Sequence, residues 1–445
     1  MTHNGAPDFT IRRLGEARFP SPLPLGTAKG DGRADFTPDD QRVLYDESWR
    51  GVKICLDRGE TPPSLEVAGP RERIYFRPND VRAAIVTAGG LCPGINDVVR
   101  AMVLTLSWHY GVREIFGVRY GLRGFVAEDA PPLRLDPDAV KSIHHEGGSR
   151  LGSSRGAPPV AEIVRFLDRQ AISLLFVVGG DGSQRALQAI STAAREGGLA
   201  IAAIGVPKTI DNDILFVDQT FGFATAVSLA RQAIDAAHAE AQGAYNGVGL
   251  VRLMGREAGF ITAEAALASG EANFVLLPEV RFDLEGPAGF LAQLHRRIVS
   301  RRHAVVVAAE GAGQEYLADE RERRGADASG NQRLGDIGRF LRDQIEKYFR
   351  ERDLPVAVRY IDPGYMIRSA RADAADAVYC QQLGQNAVHA AMAGKTEMLV
   401  GRIHSRQVHV PVAAVTAGRK RLDPEHALWR AVLESTGQPE RMVND

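Results

Sequence analysis

Residues 172–183 read Ile-Ser-Leu-Leu-Phe-Val-Val-Gly-Gly-Asp-Gly-Ser, and residues 200–213 read Ala-Ile-Ala-Ala-Ile-Gly-Val-Pro-Lys-Thr-Ile-Asp-Asn-Asp. Each opens as a short apolar run, Ile172 to Val178 and Ala200 to Val206, which predicts a buried strand. Between them, Gln184 to Arg195 predicts a helix. Strand, glycine turn, helix, strand and turn make one βαβ unit whose two strands are parallel neighbours. The turns after both strands then emerge at one carboxyl edge, where open α/β sheets take ligands. Asp181, Asp211 and Asp213 are expected to converge there beside exposed backbone N–H groups. That set suits metal-assisted phosphoryl transfer.

Working outward, the same rhythm covers most of the chain. It begins with a strand at Ala83–Thr87, a glycine turn, a helix from about Ile95 to His109 and a strand at Glu114–Val118. After the central βαβ unit a long helix is expected over Ala224–Ala241. A second alternating set follows: strand Val248–Leu253, helix Glu257–Ala268, strand Phe274–Leu277, helix Ala288–Ser300, strand Ala304–Ala309, helix Ile337–Arg350 and strand Val356–Tyr360. Two successive α/β sets predict two doubly wound, Rossmann-like lobes with the active site in the cleft between them. Residues 1–80, rich in proline and glycine, lack the βαβ rhythm and read as an extension on the outside of the main body. Residues 321–333 read as a mobile surface loop, because a helix there has no apolar face.

Composition narrows the classes. The chain has 445 residues, a formal net charge of −1 and 24% charged residues, which gives no basic footprint for nucleic acid or a membrane surface. Three scattered cysteines, Cys55, Cys92 and Cys380, make neither a disulfide framework nor a zinc cluster. No apolar run approaches the roughly 20 residues of a membrane span, and the first residues show no signal-peptide core. A cytoplasmic enzyme is the expectation.

Individual motifs carry different amounts of chemistry. Thr87-Ala88-Gly89-Gly90-Leu91-Cys92-Pro93-Gly94-Ile95-Asn96 follows a strand and opens a helix, so backbone and helix N-terminus are available to an anion. Such a turn is as often tight packing, and its spacing is not the dinucleotide fingerprint. Gly179-Gly180-Asp181-Gly182-Ser183 implies phosphate handling without naming a substrate. Pro207-Lys208-Thr209-Ile210-Asp211-Asn212-Asp213 is more telling: two carboxylates, an amide, a hydroxyl and a lysine crowd one sheet edge. A solvated capping turn is the plainer alternative. Met254-Gly255-Arg256 aims an arginine at the same edge, and Glu310-Gly311 places a carboxylate that suits a sugar hydroxyl.

Taken in order, GGxxPGxN, GGxxLGSSR, GGDGS, PKTIDND, MGR, EG and Pro363-Gly364-Tyr365-Met366-Ile367-Arg368 resemble 6-phosphofructokinases over about residues 81–430. Asn246-Gly247-Val248-Gly249, Glu310-Gly311-Ala312-Gly313-Gln314 and Leu428-Trp429-Arg430 are similar to the plant-type ATP-dependent branch, which also carries an N-terminal extension. The resemblance implies ATP-dependent phosphorylation of fructose 6-phosphate to fructose 1,6-bisphosphate in glycolysis, with Mg²⁺. It makes Asp211 the general base, Asp181 the Mg²⁺ ligand, and Asp213, Thr209 and Arg256 their catalytic neighbours. Gly89, Gly90, Arg155, Gly180, Gly182, Ser183 and Lys208 fall on the donor side. Met254, Gly255, Arg256, Glu310, Tyr365 and Arg368 fall on the sugar side with Thr209 and Asp211.

Arg359 matches an arginine that reaches in from a neighbouring subunit, which implies a homo-oligomer, dimer or tetramer. The family includes allosteric enzymes, but the basic residues of the bacterial effector site are not matched here. The implied organisation is an extension over 1–80, a donor lobe of 81–222 with about 367–415, a sugar-phosphate lobe of 223–366 and a C-terminal segment 416–445.

Two departures stand out. Gly247 occupies the position of a sugar-site arginine in bacterial ATP enzymes, and Tyr365 stands where those enzymes have histidine. Donor choice divides between two residues. Lys208 is the lysine of pyrophosphate-dependent enzymes, whereas Gly182 replaces the aspartate those enzymes place against the α-phosphate space; glycine with lysine is the pairing of the plant-type ATP branch. Pyrophosphate dependence is therefore the runner-up. A catalytically silent paralogue would need a lost base or metal ligand, yet Asp181, Asp211, Arg155 and Arg256 are all present.

Overall fold

A computed structural model describes residues 7–28, 30–154, 156–326 and 332–444. The chain divides into two units. One comprises Met1–Thr209, Ile214–Gly222 and Ser369–Arg419; the other comprises Ile210–Asp213, Phe223–Arg368 and Lys420–Asp445.

The first unit is organised by a nine-stranded sheet. Its order is Arg42–Leu44, Ser64–Val67, Arg406–Pro411, Met398–Ile403, Ala202–Pro207, Leu174–Gly179, Arg82–Thr87, Glu114–Val118, Leu133–Arg134. The five strands from Met398–Ile403 to Glu114–Val118 are mutually parallel. Leu174–Gly179 and Ala202–Pro207 are buried throughout, as unbroken apolar runs with covered faces require. They pair from Leu174 opposite Ala202 to Gly179 opposite Pro207, so their following turns leave the sheet at the same level. The connecting helix spans Asp181–Glu196. It starts three residues earlier than its hydrophobic periodicity predicts, because Gly180 serves as the N-cap and Asp181 is already helical.

Residues 1–80 do more than lie outside the body. Arg42–Leu44 and Ser64–Val67 join the main sheet antiparallel, the latter against Arg406–Pro411. This edge encloses a charged cluster. Glu66 accepts from Arg71 Nη2 at 2.8 Å, lies 3.3 Å from His409 Nδ1 and pairs with Lys395 Nζ. All four residues are buried. Burial alone would push the Glu66 carboxyl up, but His409 and Lys395 outweigh it and hold it far below the ordinary carboxylate range. Its stabilisation is therefore complete above the ordinary carboxylate pKa and is lost only as strong acid protonates it. Glu66→Ala strands buried cations and is expected to cost about 3–5 kcal/mol, read as a lower denaturant midpoint at pH 7. An unchanged midpoint would show that the cluster does not anchor the extension.

The second unit has a four-stranded, wholly parallel sheet ordered Phe274–Leu276, His303–Ala309, Gly247–Leu253, Ala357–Ile361. Its core includes Val248, Leu250, Val306, Phe290, Leu294, Leu341 and Phe349. Phe290–Arg301 and Ile337–Arg350 are the amphipathic helices packed there. Of the loop expected at 321–333, residues 327–331 lie outside the described residues, and residues 321–324 belong to a helix, Ala318–Arg324. No side chain on it is buried, as its composition requires, and local pairing substitutes for an apolar face: Glu320 with Arg324, and Arg324 Nη1 with the Leu334 carbonyl at 3.0 Å. Among the described residues no helix is long and apolar enough to cross a membrane.

Candidate active site

In the first unit three loops follow adjacent parallel strands. Ala88 N donates to Val178 O at 2.9 Å and Lys208 N to Gly179 O at 3.1 Å, so the glycine turns stay knitted just beyond the sheet. Lys208 is buried and its Nζ donates to Gly90 O at 2.6 Å. Gly89 has a φ of 89°, a left-handed conformation that favours glycine. The Gly147–Ser154 segment is tied to the same edge: Thr87 Oγ1 donates to Gly152 O at 2.7 Å, and Gly89 N donates to Ser154 O at 3.1 Å. Asn96 braces it from below, donating to Glu146 O at 3.0 Å and accepting from Arg150 N at 2.8 Å. Arg155, expected on the donor side, lies outside the described residues.

Asp181 and Gly182 occupy the first turn of their helix, where backbone N–H groups and the helix dipole favour anions. Ser183 N donates to Gly180 O at 2.9 Å, and buried Gln184 Nε2 donates to Gly179 O at 2.9 Å. Gly182 is exposed, and a Cβ there would meet nothing within 4 Å. Asp181 Oδ2 pairs with Arg185 at 3.2 Å and with Arg419 at 3.8 Å. Thr209 O accepts from Thr220 Oγ1 at 2.6 Å, fixing the exit of that turn.

The second unit carries its own cluster. Met254-Gly255-Arg256 leaves the strand Gly247–Leu253, Glu310 leaves His303–Ala309, and Asp362 leaves Ala357–Ile361. The first two turns are stitched together, Glu310 N to Leu253 O at 2.8 Å and Gly311 N to Gly255 O at 3.0 Å. A side chain at Gly311 would collide with the Arg256 carbonyl, so glycine is required for that approach. Met254 is buried. Glu310 Oε2 accepts from Arg252 Nη2 at 2.8 Å.

Asp211 shares this cluster. Its Oδ1 is shut off from solvent. Burial first, then the carboxylates of Asp213 and Glu310, push its pKa well above the ordinary aspartate range, against the Arg256 backbone N–H and the charge of Arg368. Asn212 turns the chain between the two aspartates with a φ of 55°, a conformation asparagine tolerates. Lys420 braces that turn, Nζ to Asn212 Oδ1 at 3.0 Å and N to Asp213 O at 3.0 Å. The Arg256 side chain turns to the Gln332 carbonyl. Arg368 lies 5.0 Å from the Tyr365 ring centre, and Tyr365 is exposed. Arg359 is on the surface beside Glu240 at 3.7 Å.

Within single units, then, the structure groups Gly89, Gly90, Asp181, Gly182, Ser183 and Lys208, and separately Asp211, Asp213, Met254, Arg256, Glu310 and Arg368. Sequence reasoning missed Arg252, Asp362, Gln184, Arg419 and Lys420. The basic run Arg419-Lys420-Arg421 is visible in the chain, but nothing local to it signals contact with a residue 208 positions earlier.

Comparison with known proteins identifies the family. A family model described as Phosphofructokinase matches residues 82–391. An ATP-dependent 6-phosphofructokinase of Borreliella burgdorferi is 45% identical over 446 residues, covering 98% of this chain and 98% of that protein. One from Amycolatopsis methanolica is 46% identical, covering 97% and 95%. The chloroplastic ATP-dependent 6-phosphofructokinase 5 of Arabidopsis thaliana is 49% identical, covering 89% and 74%. Among solved structures, a pyrophosphate-dependent phosphofructokinase from Marinobacter aquaeolei shares the fold with a TM-score of 0.66 at 23% identity, covering 80% of this chain and 91% of that one. With its motif series, a family model matched over residues 82–391 and bacterial relatives 45% and 46% identical along nearly the whole of both chains, the chain belongs to the phosphofructokinase family.

Proposed function

We propose that this chain transfers the γ-phosphoryl group of ATP to the 1-hydroxyl of fructose 6-phosphate, releasing ADP and fructose 1,6-bisphosphate in glycolysis, in keeping with relatives named ATP-dependent 6-phosphofructokinase. The observation that carries the reading is Asp211, a carboxylate shielded from water and raised in pKa among Asp213 and Glu310. A base of raised pKa is better matched to a leaving alcohol proton than an ordinary aspartate. Asp211 takes that proton as the new O–P bond forms. Thr209, Asp213 and Arg256 flank the transferred group. Glu310, Met254 and Gly255 line the sugar, and Tyr365 and Arg368 grip its 6-phosphate.

On the donor side, the backbone at Gly89, Gly90, Gly180, Gly182 and Ser183, with Lys208, cradles the phosphates. Asp181 supplies hard oxygen beside that cradle, which fits Mg²⁺, an ion usually held by one or two carboxylates plus substrate phosphates. When bound, Mg²⁺ neutralises charge on the donor oxygens. Arg359, half-exposed, serves a neighbouring subunit in a homo-oligomer. Lys208 alone favours pyrophosphate as donor; the open space at Gly182 favours ATP. The test is turnover of fructose 6-phosphate with Mg·ATP, with Asp181→Ala alongside. That variant is expected to need roughly tenfold more Mg²⁺ for half-maximal rate. An unshifted Mg²⁺ titration would remove Asp181 from its role.

A further inference from the structure

Arg252 holds two carboxylates at once. It is the penultimate residue of Gly247–Leu253, the strand flanked in parallel by His303–Ala309 and Ala357–Ile361. Because both neighbours run the same way, their ends, Glu310 and Asp362, fall on either side of it. Arg252 Nη2 donates to Glu310 Oε2 at 2.8 Å and Nη1 to Asp362 Oδ2 at 2.6 Å. Asp362 Oδ1 in turn accepts at 3.0 Å from the backbone N of Gly364, the first residue of the helix Gly364–Arg368. One guanidinium therefore fixes the Glu310 carboxylate and, through Asp362, the start of the helix bearing Tyr365 and Arg368. The Arg252 and Glu310 side chains are 20% and 26% exposed, so their charge-assisted bond is partly shielded from solvent, while Asp362, 38% exposed, holds its bond nearer the surface.

We propose that Arg252 is a positioning residue that sets the hydroxyl-binding and phosphate-binding ends of the sugar site in one arrangement. This rests on the functional reading above. Lysine cannot replace it, since a single ammonium lacks the planar fork that reaches two carboxylates in fixed directions. A second consequence is electrostatic. Asp211 feels Asp213 and Glu310 as like charges and Arg368 as an opposing one; Arg252 offsets Glu310. Without it, the uncompensated Glu310 carboxylate raises Asp211 further, and the acid limb of activity moves to higher pH.

The experiment compares wild type, Arg252→Gln, Arg252→Lys and Asp362→Asn in steady-state kinetics across pH, with thermal shift by fructose 6-phosphate as a readout independent of turnover. Arg252→Gln is expected to raise KM for fructose 6-phosphate roughly 10- to 100-fold, the scale of hydrogen bonds to charged groups. KM for the donor stays constant and the acid limb moves upward. Arg252→Lys restores the acid limb but keeps most of the KM defect; Asp362→Asn shares the KM defect. Should Arg252→Gln fail to fold, Arg252→Lys and Asp362→Asn decide alone: a sugar KM and sugar-induced thermal shift like wild type in both would overturn the proposal. So would a folded Arg252→Gln whose sugar KM is unchanged, or whose sugar and donor KM rise together. If wild type itself fails to phosphorylate fructose 6-phosphate, the functional reading fails instead, which the same assay shows separately.

Discussion

Replacing Asp211 with alanine is expected to lower kcat by about 10²–10⁴, the usual cost of losing a general base, while fructose 6-phosphate still binds. The residues assigned to the sugar are mostly others, Met254, Glu310, Tyr365 and Arg368, and of the described contacts around Glu310 the main one is to Arg252. Removing one of three crowded carboxylates also relieves repulsion among Asp211, Asp213 and Glu310, so the variant folds at least as well at neutral pH. In the wild type the same crowding has a kinetic sign. Asp211 must be ionised to act, and its pKa is raised, so activity falls as pH drops through a value above the ordinary aspartate range. An acid limb near an ordinary aspartate pKa that survives in Asp211→Ala, with near wild-type kcat, would remove the residue from its role.

Gly182→Asp is expected to reduce kcat/KM for ATP by at least about a hundredfold, because a carboxylate facing a desolvated phosphate costs several kcal/mol. The structure makes this a test of charge rather than of folding. A Cβ at Gly182 meets nothing within 4 Å, and the residue is itself exposed in the first turn of its helix. Gly182→Ala is the control, with ATP use near wild type. Some pyrophosphate activity is expected to emerge in Gly182→Asp, since Lys208 is already present. Full ATP activity in the aspartate variant would mean that the α-phosphate does not pass this position.

Much of the fold was legible because its central strands carry their own signal. Leu174–Gly179 and Ala202–Pro207 are continuous apolar runs ending in glycine or proline turns, and parallel pairing follows from the helix between them. The N-terminal extension hid its contribution. Ser64–Val67 contains a glutamate that no local pattern marks as buried; its partner Lys395 lies 329 residues away. Its strand partners include Arg406–Pro411, more than 300 residues away, so sequence periodicity missed it. The short helix Ala318–Arg324 escaped for a related reason, since ion pairs hold it without an apolar stripe.

The candidate site divides along the same line. Asp181, Gly182, Asp211, Asp213 and Arg256 sit in dense motifs whose residue types announce phosphate chemistry. Arg252, Asp362, Gln184 and Lys420 act by reaching across strands or back from the chain's end, so their part is set by sheet order and register. Arg252 shows the difference well. Read along the chain it is one charged residue at the end of an apolar strand, and only the parallel strands on both sides turn it into a bridge between Glu310 and Asp362.

The most direct test of the account is the donor preference of the unmodified protein. With fructose 6-phosphate and Mg²⁺, kcat/KM is measured for ATP and for pyrophosphate in the same preparation. The account predicts sustained formation of fructose 1,6-bisphosphate and ADP with ATP, and little turnover with pyrophosphate. Robust turnover with pyrophosphate and none with ATP would contradict it.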